Sequence, residues 1–170
     1  MGAGPDWDAA LATLGSACLT TQRTYKNHAC CGHTFAAIDG ALALQRKLEV
    51  AHGDITGVRI ATYRPALEVA GNANPATAAE ARFSVAYVVA TALVHGSMRL
   101  AAFEPARLRD PATRALMART ETMVDTELDA AFPGQRAARV TLSTRDGRSE
   151  TYLQPTRKGD PDAPLSDAEL

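Results

Sequence analysis

From His33 onward the apolar positions fall into a helical rhythm. Phe35, Ile38, Leu42 and Leu48 lie near one face, Ala41 and Leu44 widen it, and Gln45, Arg46, Lys47 and Glu49 point outward. Gly53 is the expected stop. The period then changes to two. "ITGVRIATY" predicts a strand with Val58 and Ile60 on one side and Arg59 and Tyr63 on the other. "NANPATAAEARFSVAYVVATALVHG" predicts a second long helix. Thr77 and Glu80 have the spacing of a capping box, Phe83, Tyr87, Ala90 and Val94 recur at helical spacing, and Gly96 ends the run. Phe83, Tyr87 and Val88 are expected in the core.

Asp110 before Pro111 marks another helix start, running through Met117. "ETMVDT" and "ARVTLSTRDGRSETYL" then read as strands, with a tight hairpin turn at Asp146-Gly147. Ahead of these elements, a short helix is expected from Asp8 to Leu14, closed by Gly15, followed by an irregular stretch over 18–25. The tail "RKGDPDAPLSDAEL" reads as a proline-rich loop in which Ser166 caps a last helical turn. The order helix, strand, helix, helix, strand, hairpin predicts an α+β two-layer sandwich, a mainly antiparallel sheet packed on helices.

A length of 170 residues suits one domain with a real core. The 18 basic and 19 acidic residues leave a net charge of -1, and the basic ones are spread singly from Arg23 to Lys158. That excludes nucleic acid and an anionic membrane surface as expected partners. The run around "FSVAYVVATALV" is too short and mixed to span a bilayer. The start, "MGAGPDWDAALATLG", carries no basic segment and no long apolar run, so no signal peptide is expected. Cys18, Cys30 and Cys31 form a poor disulfide framework, which favours a reduced, cytoplasmic chain.

The candidate chemistry sits at the mouth of the first long helix, in "TYKNHACCGHTFAAIDGAL". His28, Cys30, Cys31 and His33 are all zinc-ligand types, but adjacent cysteines rarely reach one tetrahedral centre and no second ligand pair follows. Cys31 beside His33 near a helix start is a weak nucleophile candidate, since thiolate–imidazole pairs are set by space rather than sequence. A third reading is acid–base work on a carboxylate. Lys26 pairs with an anionic oxygen, His33 titrates near neutrality, and helix amides at Thr34 add a favourable dipole. The fourth reading makes the cysteines small buried groups and the histidines satisfied structural ones. Elsewhere, Asn72 and Asn74 fit turn chemistry, His95 fits a helix C-terminus, and Arg82 lies where it faces either a cleft or solvent. Lys158-Gly159-Asp160 lacks the strand–loop–helix context of a phosphate loop.

Four stretches, taken in order, resemble one family. "YKNHACCGHTFAAIDGAL" resembles the segment that opens the small domain of MmgE/PrpD proteins, among them 2-methylcitrate dehydratase, cis-aconitate decarboxylase and iminodisuccinate epimerase. "NPATAAEARFSVAYVVATALVHG", "RLRDPATRALMARTETMVD" and "RVTLSTRDGRSETYLQPTRKGDPDAPLSDAEL" resemble the proline-led helix, the Asp-Pro helix with its strand, and the closing hairpin with its loop. The resemblance implies a C-terminal lid domain over 23–170, preceded by a connecting segment with a short helix over 1–22. In such enzymes a larger helical domain, absent from this sequence, faces the lid across a cleft that binds a di- or tricarboxylate. Proton abstraction beside a carboxylate follows, with no metal and no cofactor required. Carried onto this chain, the resemblance makes His33 and Lys26 catalytic. It makes Lys26, His28, Cys31, Gly32 and Arg82 substrate-binding. It implies a helical partner domain, possibly on another chain, without which the lid is inactive, and a homo-oligomer, a dimer being the simplest. A non-enzymatic, self-associating or protein-binding module derived from the lid is the alternative.

Overall fold

A computed structural model of the chain describes residues 4–16 and 18–169. The first helix, α1, spans Trp7–Leu11, begins one residue before the expected Asp8 and is capped by Asp6, whose carboxylate accepts from the Ala9 amide. The chain then turns, with Gly15 at φ +82°. A 3-10 turn at Leu19–Gln22 interrupts the expected irregular stretch.

Helix α2 (Phe35–Leu48) buries Phe35, Ile38, Ala41, Leu44 and Leu48, the face its periodicity predicts, while Leu42 is only half-buried. It stops at Glu49, four residues before the expected Gly53. Glu49 takes the left-handed conformation at φ 51°, its amide donating to the Arg46 carbonyl and that of Val50 to the Gln45 carbonyl. This pair of bonds is a Schellman closure, and Val50 supplies its apolar contact. Gly40 lets the helix lie close on the sheet, since a Cβ there would sit 3.3 Å from Val140 and Gln154 side-chain atoms.

Strand β1 (Ile55–Thr62) buries Ile55, Val58, Ile60 and Thr62. The three-residue step from Ile55 to Val58 reflects a register shift between Ile55 and Gly57, the extra residue of a bulge. Tyr63, expected beside Arg59 on the outer side, lies past the strand end and is 1% exposed. There the chain enters α3 (Arg64–Ala70), with proline in its first turn.

The second long helix is two helices. The expected capping box forms at α4 (Ala78–Ala81). The chain then breaks at Arg82-Phe83, and Ser84 starts α5 (Val85–His95) by accepting the Tyr87 amide at 3.2 Å. Serine competes well for such an amide, so a new N-cap wins over a continuous helix. The break turns Phe83 outward, 46% exposed, and removes it from the core; Tyr87 and Val88 are fully buried. Helix α5 is covered all round, and Gly96 closes it at φ 74°.

A 3-10 turn (Leu100–Phe103) and α6 (Pro105–Leu108) lead to α7 (Pro111–Met117), where Asp110 caps the Thr113 amide as expected. Strand β2 (Thr120–Val124), α8 (Thr126–Ala131), β3 (Ala138–Thr144) and β4 (Ser149–Gln154) complete the elements. The sheet order is β2-β1-β3-β4, parallel between β1 and β2 and antiparallel elsewhere. Helices α2 and α5 pack together, α2 on β3 and β4 and α5 against β2 and α7. On the open side of the sheet, Arg59 pairs with Glu121 at 3.5 Å, and Thr141–Thr151 and Ser143–Ser149 share hydroxyl bonds. The architecture is α+β. No described helix is long and apolar enough to cross a membrane.

Candidate active site

The segment before α2 is fastened to the end of the chain. Tyr25 donates its amide to the Gly159 carbonyl at 2.8 Å, and Thr24 donates its hydroxyl to Asp160 at 2.6 Å. Arg157, 8% exposed, grips Asp160 through Nε (2.9 Å) and Nη2 (2.6 Å). Asp39 on α2 joins the same clasp, accepting the Lys158 amide on one oxygen and holding His28 Nε2 at 2.8 Å on the other. Gly159 is required there. It sits at φ +100°, and a Cβ would meet the Tyr25 carbonyl oxygen at 2.0 Å.

This clasp presents His33. Its Nδ1 shares a 2.8 Å hydrogen bond with the Tyr63 hydroxyl, and Phe132 stacks on Tyr63 with ring centroids 4.7 Å apart. Arg136 lies over the Phe132 ring at 5.9 Å, and Arg157 reaches Gly32, where a Cβ would stand 3.0 Å from Nη1. Burial, then the positive fields of Arg136 and Arg157, hold the His33 pKa below the ordinary 6.5. Burial pushes the Tyr63 hydroxyl up to about 12, despite the same two arginines. At neutral pH the pair is therefore an uncharged imidazole beside an uncharged phenol. If the phenol donates to Nδ1, the proton sits on Nε2; if Nδ1–H donates to the phenol, Nε2 carries the free lone pair. One hydrogen bond thus serves both an acid and a base form.

The other predicted residues take various places. Lys26 is exposed, and among the described residues its ammonium reaches only the Cys30 carbonyl, at 3.5 Å. Cys31 and Gly32 form the turn before His33, Cys31 donating its amide to the Arg82 carbonyl at 3.0 Å. That carbonyl is freed by the break between α4 and α5, while the Arg82 guanidinium stacks over Phe103 at 4.5 Å. His28 is 6% exposed, bonded to Asp39 and edge-on to Phe35. Near the expected helix mouth at Thr34 a 3-10 turn intervenes. The Thr34 amide bonds to Cys31 and that of Phe35 to Gly32, so neither is open to an anion.

Burial pushes the Cys30 thiol up to about 12, which keeps it protonated, and its sulfur lies 3.3 Å from the Thr34 hydroxyl. Among the described residues no group of three or more His, Cys, Asp and Glu side chains is gathered to hold a metal ion. His28, Cys30 and His33 turn instead to Asp39, Thr34 and Tyr63.

Tyr63, Phe132, Arg136, Arg157 and Asp160 are the groups that sequence reasoning missed. Arg136, Arg157 and Asp160, with Thr24, line a surface groove of about 490 Å³. The signal for Asp160 was the Gly-Asp-Pro turn after a lone arginine; Tyr63 had only its position at a strand end.

The MmgE/PrpD C-terminal domain matches residues 28–170. The chain is also similar to a cis-aconitate decarboxylase-like protein, oryM, of Aspergillus oryzae, at 29% identity over 167 residues and 92% of this chain. It spans only 34% of the length of that curated relative.

Proposed function

The chain belongs to the MmgE/PrpD family, and on that premise we propose that it is the lid domain of a 2-methylcitrate dehydratase-like lyase acting on a di- or tricarboxylate. The observation that carries this reading is the uncharged His33–Tyr63 pair beside Arg136 and Arg157. A carbon next to a carboxylate loses its proton only if the electron pair can move onto the carboxylate oxygens. Cations held beside those oxygens lower that barrier. His33, neutral at pH 7, takes the proton on Nε2, and Lys26 holds the carboxylate on which charge develops. Loss of a neighbouring hydroxyl then returns the proton from the imidazolium, and water leaves. Tyr63 keeps the ring oriented through both forms. In this reading Cys31 and Gly32 shape the turn, and His28 and Arg82 support it through Asp39 and the Arg82 carbonyl.

The name of the Aspergillus relative refers to cis-aconitate, a tricarboxylate, which supports this substrate class. We assign the opposite wall of the cleft to a helical MmgE/PrpD domain, without which the lid does not turn over substrate, and expect the assembly to be a homo-oligomer. Trp7, Leu11 and Leu14, exposed at 67%, 56% and 82%, support a docking surface for such a domain. The same residues favour the second reading, a self-associating or protein-binding module without catalysis. Cys30 and Cys31, adjacent in sequence and not joined in a disulfide, fit a reducing, cytoplasmic setting.

The test is to recover the chain with its partners from cells of its source and assay dehydration of 2-methylcitrate. Turnover that is lost in His33→Ala and Lys26→Ala supports the reading. Full turnover in both variants contradicts the site, and a self-associated chain with no activity supports the module instead.

A further inference from the structure

We propose that Arg136 binds a second, distal carboxylate of the substrate, making this wall selective for di- and tricarboxylates over monocarboxylates. The inference rests on the carboxylate reading above and adds a residue that neither the sequence motifs nor that reading requires.

The argument starts from how the arginines around the site are used. Arg157 is already engaged by a two-point grip on Asp160. Arg139, on the strand that follows Arg136, is likewise gripped by Asp125 at 3.0 Å and Glu127 at 2.9 Å. Arg136 is half-buried, yet among the described residues its guanidinium makes no hydrogen bond and no ion pair. Its contact is the face of Phe132. A half-buried guanidinium on a groove wall, held by a ring face and by no protein acceptor, has its planar fork available for an anion, which it binds two donors at a time.

Its position supplies the second half of the argument. Phe132 stacks on Tyr63, and Tyr63 bonds to His33, so Arg136 stands one ring away from the acid–base pair. It lines the same groove as Thr24 and Arg157. Lys26, the first carboxylate partner in the reading above, donates to the Cys30 carbonyl within the turn that leads to His33. Among the described residues neither Lys26 nor Arg136 forms an ion pair with a carboxylate, and the Arg136 charge acts directly on the imidazole. A substrate with one carboxylate at Lys26 and another at Arg136 is fixed at two points with the carbon between them at His33. A monocarboxylate is fixed at one, and loses the orientation that makes proton transfer efficient.

The test is an NMR titration of the chain with propane-1,2,3-tricarboxylate and, separately, with acetate, in the native chain, Arg136→Gln and Arg136→Lys. The native chain binds the tricarboxylate far more tightly than acetate. Arg136→Gln weakens tricarboxylate binding by about tenfold to a hundredfold, the usual range for a lost charge-assisted bond, and changes acetate binding less than about threefold. Arg136→Lys recovers part of the affinity, because the charge remains without the planar fork. Equal tricarboxylate affinity in native and Arg136→Gln chains overturns the inference and leaves the carboxylate reading standing. Equal weakening of acetate and tricarboxylate overturns the distal role. A native chain that binds neither anion overturns the carboxylate reading together with the inference.

Discussion

Around α5, nine residues in a row from Val85 to Leu93 are buried, and α2 lays Phe35, Ile38 and Leu44 against the same core. Around His33, by contrast, the chain is held by polar bonds between residues far apart: Thr24 to Asp160, Tyr25 to Gly159, Asp39 to Lys158, His33 to Tyr63. The core is cemented by area removed from water, which asks only for apolar residues at the right period. The wall needs particular donors facing particular acceptors, so single substitutions there change chemistry before they change the fold. The difference separates what stabilises this domain from what makes it a candidate site.

The largest expected effect is on chemistry. Under the proposed acid–base role, His33→Ala in a complex that turns over substrate lowers the rate by about 10² to 10⁴-fold, the usual contribution of such a group. Its unfolding free energy falls by only about 1 kcal/mol, the worth of one hydrogen bond. Kinetics and urea denaturation measured together check the pair.

Leu44→Ala reverses the pattern. Leu44 is fully buried, so the truncation costs about 2–5 kcal/mol in urea denaturation. The His33 titration stays unchanged, because the lost contacts are apolar and lie in the core.

Gly159→Ala tests the clasp itself. The added methyl meets the Tyr25 carbonyl and the backbone is left-handed, so about 1–3 kcal/mol is lost. Hydrogen exchange quickens first at the Tyr25 and Lys158 amides, whose partners belong to the clasp.

This contrast also explains what was legible in the sequence. Helix α2, the Thr77–Glu80 box, the Asp110 cap and the 146–147 turn follow from local periodicity and capping, and each was readable. The stop at Glu49 was not, because a glutamate occupied the left-handed position usually given to glycine. Nor was the Ser84 break, where one hydroxyl outcompeted an uninterrupted apolar period. His33 and Lys26 were readable from their crowding. Tyr63, 30 residues from His33, and Asp160, 136 from Thr24, were not, since only the fold brings them together.

Acid should loosen the wall before the core. The folded His33 pKa lies below its ordinary 6.5, so as pH falls through this region the unfolded chain gains a proton that the native site resists, and stability declines. For Asp160, burial raises the pKa, but the bonds from Arg157 and Thr24 and the arginine charges outweigh it, leaving it below 3.8. Its contribution is present above that value and is lost as pH falls through the folded pKa. Thermal melts of native, His33→Gln and Asp160→Asn chains across pH check both. The first variant flattens the decline near neutrality, the second the decline in acid.

The smallest expected effect lies at the end of α2. Glu49→Gly removes a side chain from a left-handed position and stabilises the domain by about 0.5–1 kcal/mol, after the extra chain entropy of glycine is deducted. Urea denaturation reads this gain, with no change at His33.

The measurement that tests the central claim most directly is the NMR titration of the His33 imidazole, alone and with propane-1,2,3-tricarboxylate. The account predicts a pKa below 6.5 in the free chain, moving upward when the anion binds beside the ring, because a nearby negative charge favours the imidazolium. A His33 that titrates at or above its ordinary value, and ignores the tricarboxylate, contradicts it.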